Sequence, residues 1–185
     1  MTAALPEKAR RRAEALARRD ALSLDDRLDW DEAIAARALA LAAWGEGPVA
    51  GYWPIRSEAD PRPILEGLAA RGLTLCLPAV TEAGLEFRLW PLWGPLAPGG
   101  FGTLAPPAGA EVIRPAVLIV PMAAFDRCGF RIGYGKGHYD QALSRLPGAR
   151  TVGLAYAAQE IAEAPHEPHD HPLDVIITER EAIRP

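Results

Sequence analysis

VAGYWPIRSEADPRPILEGLAARGLTLCLPAV, residues 49–80, decides the fold class. Val49–Ile55 reads as an extended strand, and about Pro61–Arg71 as a helix closed by Gly72. Prolines near the start and a glycine just past the end fit the usual asymmetry of helix termini. Leu73–Val80 then reads as a second strand. Strand, helix and strand at this spacing make a βαβ unit, which sets two parallel neighbours joined by a right-handed crossover.

Upstream, two helices are expected. The first covers residues 6–20 and is rich in Ala and Arg. The second runs from about Asp25 to Trp44, where Ser23 followed by Asp26 is a start signal. Trp30, Ile34, Ala38 and Leu41 form its apolar stripe at helical spacing, and Gly45, Gly47 and Pro48 stop it. Downstream, Leu85–Trp90 is a short strand, and residues 94–109, GPLAPGGFGTLAPPAG, form a Gly/Pro loop. A loop of that length inside a domain tends to be functional, as a lid, or disordered.

Ala116–Pro121 is a continuous apolar run, the mark of a strand buried on both faces. A helix over about His138–Leu146 and strands Val152–Ala157 and Asp174–Thr178 complete the set. The expected class is α/β: one domain over residues 1–185, a mostly parallel open sheet with helices on both faces.

Composition agrees with a globular chain. Of 185 residues, 49% are hydrophobic and 24% charged, and the net charge of −4 gives no reason to expect nucleic-acid binding. Cys76 sits in an apolar run and Cys128 in a polar turn, a pattern of neither a disulfide framework nor a zinc site. Apolar stretches are too short for a bilayer, and no secretory signal stands at the start. Glu7, Glu14 and Asp20 argue against reading the Arg/Ala-rich start as a transit peptide, so a cytoplasmic protein is expected.

The chemistry concentrates in Asp126–Asp140, DRCGFRIGYGKGHYD, at the carboxyl end of the buried strand. Open α/β sheets bind ligands in that crevice. Gly133, Gly135 and Gly137 remove side chains at alternate positions, so backbone N–H groups can approach an anion. Lys136 adds a mobile cation, Arg131 a planar fork, and Asp140 a carboxylate placed to hold Mg²⁺ on phosphate oxygens. The loop is neither a Walker A motif nor a dinucleotide fingerprint. Of 20 Lys and Arg residues only Lys8 and Lys136 are lysine, which suits a site wanting a point charge.

Together, these segments resemble the 5-formyltetrahydrofolate cyclo-ligase (methenyltetrahydrofolate synthetase) family. RIGYGKGHYD after LIVP and a Phe-Asp turn is similar to its signature, and EKARRRAEALARRDALS to its basic first helix. GYWPIRSEADPRPILEGLAARGLTLCLPAV resembles its first βαβ unit, and HDHPLDVIITE its closing strand. Four segments in the right order make the resemblance specific. It implies a three-layer fold shared with certain phosphosugar isomerases and CoA transferases. It also implies ATP- and Mg²⁺-dependent cyclisation of 5-formyltetrahydrofolate, free or polyglutamylated, with no obligate protein partner.

Carried over by position, the resemblance places Lys8 and Arg12 on the ATP phosphates. Arg131, Ile132, Gly133, Tyr134, Gly135, Lys136, Gly137, His138 and Tyr139 wrap the nucleotide, with Lys136 and Arg131 acting in catalysis. It gives Mg²⁺ to Asp140 and Asp174, and folate to Trp53 and Glu58. His138 departs from the family's usual Tyr or Phe, Ala105 from an acidic residue after FGT, and Cys128 from the expected turn residue. Simpler roles stand beside these. Arg10, Arg11, Arg18 and Arg19 read as a solvated face, Trp90 and Trp93 as core or loop anchors, and Trp53 alone as core. Asp174 alone reads as the start of its strand. His166, His169, Asp170 and His171 have metal-ligand spacing, yet a polar Pro-rich loop is the commoner source of such a run. A phosphosugar isomerase, or a non-catalytic nucleotide-binding module, is the alternative on the same fold.

Overall fold

The computed structural model describes residues 4–41, 44–100, 102–168 and 170–185. Helices α1 (Ala4–Asp20) and α2 (Leu24–Ala40) come first, followed by strand β1 (Val49–Ala50) and helix α3 (Arg62–Ala70). Strands β2 (Leu75–Thr81), β3 (Gly84–Leu89), β4 (Ala97–Pro98), β5 (Leu104–Ala105) and β6 (Val117–Pro121) follow. Then come β7 (Ala124–Phe125), β8 (Arg131–Ile132), helix α4 (His138–Ser144), and strands β9 (Arg150–Leu154), β10 (Val175–Ile177) and β11 (Ala182–Ile183).

Seven strands form one sheet in the order β11-β10-β9-β6-β1-β2-β3. The five inner strands, β10 to β2, pair in parallel, while β3 and β11 close the edges antiparallel. β1, α3 and β2 are the βαβ unit, with Val49 opposite Leu75. β6 lies at the centre with Val117–Val120 all buried, because helices cover both of its faces. Its side chains alternate. Val117 and Ile119 join Ile34, Ala38, Ile64 and Leu68 of α2 and α3, whereas Leu118 and Val120 join Ala142 and Leu143 of α4. Gly153 of β9 marks a close approach, for a Cβ there would lie 2.4 Å from Met122 Cε and 2.6 Å from Leu173 Cδ1.

Local chemistry sets the helix ends. Ser23 caps α2 in an extended conformation, its Oγ accepting the Asp26 N–H at 3.0 Å, with Asp25 and Asp26 complementing the dipole. The expected run to Trp44 is too long. The backbone leaves the helix at Leu41 (ψ 135°), and Trp44 returns its indole Nε1–H to the Ala38 carbonyl at 2.9 Å. Pro61 and Pro63 start α3, and Gly72 (φ 83°) follows its last turn.

Three other expectations need correction. The strand through Val49–Ile55 pairs only at Val49–Ala50, since after the Gly51 N–H bonds the Cys76 carbonyl the chain leaves the sheet to form a turn in which Glu58 N–H bonds the Ile55 carbonyl. Residues 94–109 are not structureless: β4 and β5 pair antiparallel across Gly99–Thr103. The polar turn around Cys128 is also more ordered than a simple turn, because β7 and β8 flank it as a hairpin. No helix among the described residues is long and apolar enough to cross a membrane.

Candidate active site

A cleft of about 1200 Å³ opens beyond the carboxyl ends of β1, β2 and β6. It is the crevice in which open α/β sheets hold ligands. Most of its lining comes from three parts of the chain: α1, the turn after β1, and the loop from β8 into α4.

From α1 come Lys8 and Arg12, one turn apart on the same face. Arg12 donates Nε–H to the Gly133 carbonyl at 2.7 Å, which seats the helix on the glycine loop. Lys8 Nζ lies 2.8 Å from Asp170 Oδ2, another cleft residue. From β8 comes Arg131, whose side chain is 5% exposed. Its Nη2 donates to Asp140 Oδ1 and its Nη1 to the His171 carbonyl, each at 2.7 Å.

The loop Gly133–Gly137 lies between these cations. Gly135 adopts φ 92° and Gly137 φ 64°, conformations that L side chains rarely adopt, and Gly137 is the cap of α4. Helix α4 has seven residues, so much of the charge an anion meets must come from side chains. Ile132, Tyr134, Lys136, His138 and Tyr139 line the same cavity.

From the turn after β1 come Trp53 and Glu58. Glu58 is 8% exposed, and its Oε2 accepts the Ile55 N–H at 2.9 Å. Burial pushes its carboxyl pKa up, opposed by that N–H and by a hydrogen bond with Tyr134, then by Arg19 and Arg56. Tyr134 is pushed up to about 12, first by burial and then by the Glu58 charge. Trp53 packs edge-to-face on Trp90 at 6.2 Å and lies 5.2 Å beneath the Arg62 guanidinium. A half-buried indole so braced offers a fixed apolar wall. Tyr52, Pro78, Val80, Leu85 and Leu104 extend it.

All but one of the expected site residues therefore meet in one cavity. Asp174 is the exception. It stands at the amino end of β10, where its Oδ2 accepts both the N–H and the hydroxyl of Thr151, at 2.7 and 2.9 Å. Thr151 Oγ1 in turn accepts the Asp174 N–H at 2.9 Å, so this pair ties the starts of two parallel strands. Its place on the sheet sets it apart from the cleft and from Asp140. The histidine run does not form a metal cluster among the described residues. His166 stacks on Phe130 with centroids 3.6 Å apart, His171 offers its carbonyl to Arg131, and His169 lies outside the described residues. Among the described residues no three His, Cys, Asp or Glu side chains converge to hold a metal.

Sequence reading missed two participants. Asp170, paired with Lys8, showed only as part of the histidine run. Arg19, assigned to a solvated face, is 1% exposed and bonds Tyr134. Its sole signal was position, eleven residues after Lys8 and so on nearly the same helical face.

The model of the 5-formyltetrahydrofolate cyclo-ligase family matches residues 4–179. The 5-formyltetrahydrofolate cyclo-ligase of Mycolicibacterium smegmatis is 31% identical over 177 residues, covering 86% of this chain and 91% of that protein. The NMR structure of Aquifex aeolicus 5,10-methenyltetrahydrofolate synthetase superposes with a TM-score of 0.83 at 32% identity, over 96% of this chain and 92% of that one. A Mycoplasma pneumoniae 5,10-methenyltetrahydrofolate synthetase shares the fold with a TM-score of 0.76 at 23% identity, over 93% and 98% of the two chains.

Proposed function

The chain belongs to the 5-formyltetrahydrofolate cyclo-ligase family and is a ligase, and we propose that it closes 5-formyltetrahydrofolate to 5,10-methenyltetrahydrofolate using ATP, with release of ADP and phosphate. The observation that carries this reading is the convergence of Lys8, Arg12, Arg131 and Lys136 on a glycine loop in the same cleft as Trp53 and Glu58. Membership in the family leaves the isomerase and the non-catalytic module without support.

The chemistry explains the residues. Ring closure forms a bond from N10 to the N5-formyl carbon and must expel the formyl oxygen, a poor leaving group as it stands. Transfer of the γ-phosphoryl group to that oxygen converts it to phosphate. N10 attacks, phosphate departs with the former formyl oxygen, and N10 loses its proton. Such a reaction asks for positioning and charge neutralisation rather than a side-chain nucleophile. Lys136 and Arg131 act on the transferred group, and Lys8 and Arg12 hold the phosphates from α1. The backbone from Ile132 to Tyr139 wraps the nucleotide, with the His138 ring at the position of a family Tyr or Phe. Trp53 supplies a face for the pterin, and Glu58 accepts hydrogen bonds from its polar edge.

Mg²⁺ often takes one or two carboxylates, with phosphate oxygens and water completing its shell. Asp140 at the cleft wall fits that requirement and is the residue that would hold the ion. When bound, Mg²⁺ supplies charge neutralisation at the phosphate oxygens. The test is absorbance in the methenyl-folate band with 5-formyltetrahydrofolate and Mg²⁺, with and without ATP. An ATP-dependent rise is expected. No rise from folded protein would refute the reaction.

A further inference from the structure

Arg19 sits at the end of α1 and does not line the cleft, yet its side chain is sealed inside the protein at 1% exposure. Charged side chains are almost never fully buried unless paired. This guanidinium is bonded to two hydroxyls instead: Nε donates to Ser57 Oγ at 3.0 Å and Nη2 to Tyr134 OH at 2.9 Å, while Nη1 is buried with no hydrogen-bond partner. Ser57 in turn donates its hydroxyl hydrogen bond to Asp20 Oδ1. As a stability device this is poor, since an apolar side chain of like volume would fill the space without desolvating a cation. What the arginine does accomplish is geometric. Ser57 precedes Glu58 in the turn after β1, and Tyr134 lies between Gly133 and Gly135 of the glycine loop. The Tyr134 hydroxyl accepts from Arg19, and Tyr134 and Glu58 bear on each other's ionisation.

We propose that Arg19 is a positioning residue that locks the Glu58 turn to the glycine loop through Ser57 and Tyr134, so that the folate carboxylate and the nucleotide loop share one rigid frame. The proposal rests on the reading that Glu58 meets folate and the loop meets ATP. Around Glu58 stand Tyr52, Tyr134 and Tyr139, with Arg19 and Arg56 the cations and the Ile55 N–H the backbone donor. Burial favours the neutral carboxyl, and Arg19 is among the groups that oppose it. Loss of Arg19 therefore removes both its bond to Tyr134 and a charge that favours the ionised form of Glu58.

The test follows the Glu58 carboxyl by ¹³C NMR in the free protein, as wild type, Arg19→Met, Arg19→Lys and Tyr134→Phe. Arg19→Met is expected to raise the Glu58 pKa, Tyr134→Phe to raise it less, and Arg19→Lys to recover part of the shift by keeping the charge. The acid limb of kcat/KM for 5-formyltetrahydrofolate should move up with it. A folded Arg19→Met protein with a lower melting temperature but an unchanged Glu58 titration would reduce Arg19 to packing and overturn the proposal. If Arg19→Met does not fold, Tyr134→Phe decides in the same way, an unmoved Glu58 overturning it. An inactive wild type whose Glu58 still responds to Arg19 would refute the cyclisation reading and leave the positioning role standing.

Discussion

At Gly135 the backbone is held at φ 92°, and a Cβ there would meet the Arg12 guanidinium at 3.2 to 3.4 Å. Gly135→Ala must strain the loop or push Arg12 off the Gly133 carbonyl. We expect the KM for ATP to rise about tenfold, with a smaller change in the KM for folate. Equal changes in both would show that the loop is not specific to nucleotide. Lys136→Ala should lower kcat by a hundredfold or more, as expected for a cation acting on a transferring phosphoryl group. Turnover near wild type, measured on folded protein, would remove Lys136 from the catalytic role. At this scale the sequence was legible where the residue type itself is the chemistry, as in the glycines and Lys136. It was not legible at Arg19, whose burial depends on α1 lying against the turn at Ser57. Nor was it legible at Asp174, because a carboxylate opening a strand looks the same whether it faces a ligand or a neighbouring threonine.

Between residue and fold, the β7–β8 hairpin is the element that aims the glycine loop, and Asp126 is its fastening. At 2% exposure, Asp126 Oδ1 accepts the N–H groups of Cys128 and Phe130 at 2.9 and 3.1 Å, and Oδ2 that of Ala164 at 2.8 Å. Removing the carboxylate strands three backbone donors. Asp126→Ala should destabilise the protein by about 3 kcal/mol or more, read from a denaturant midpoint. A loss under about 1 kcal/mol would mean the hairpin stands without it. The βαβ unit was legible because prolines, Gly72 and apolar runs mark its borders locally. Strand lengths were not, since Tyr52–Ile55 is as apolar as a strand but leaves the sheet to make the cleft wall. The short strands β4, β5 and β11 escaped notice because two residues carry no period.

Across the whole molecule, the face that packs on α2 and α3 is fastened by a carboxylate whose ionisation is costly. Asp31 Oδ1 accepts the Tyr156 hydroxyl at 2.8 Å and the Asp60 N–H at 3.1 Å, joining α2 to two loops. Burial raises its pKa from 3.8 to about 6, with the two hydrogen bonds opposing, a nearby Asp60 charge adding and Arg27 opposing. A raised folded pKa favours the fold fully below the unfolded value and loses that contribution as pH climbs through 6. An Asn at this position keeps one oxygen for both donors. Asp31→Asn should therefore raise the melting temperature relative to wild type at pH 8, by about half as much at pH 5, and hardly at all below the unfolded value. Equal shifts at pH 8 and pH 5 would show that Asp31 does not titrate in this range. The fold class and the location of the cleft were legible at this scale, because buried central strands and a glycine loop at a strand's carboxyl end are enough to place it. The central claim is that the formyl oxygen leaves on the γ-phosphoryl group. With 5-formyltetrahydrofolate labelled with ¹⁸O in the formyl group, the released phosphate should carry the label, one atom per methenyl-folate formed. Unlabelled phosphate accompanying product would contradict the account.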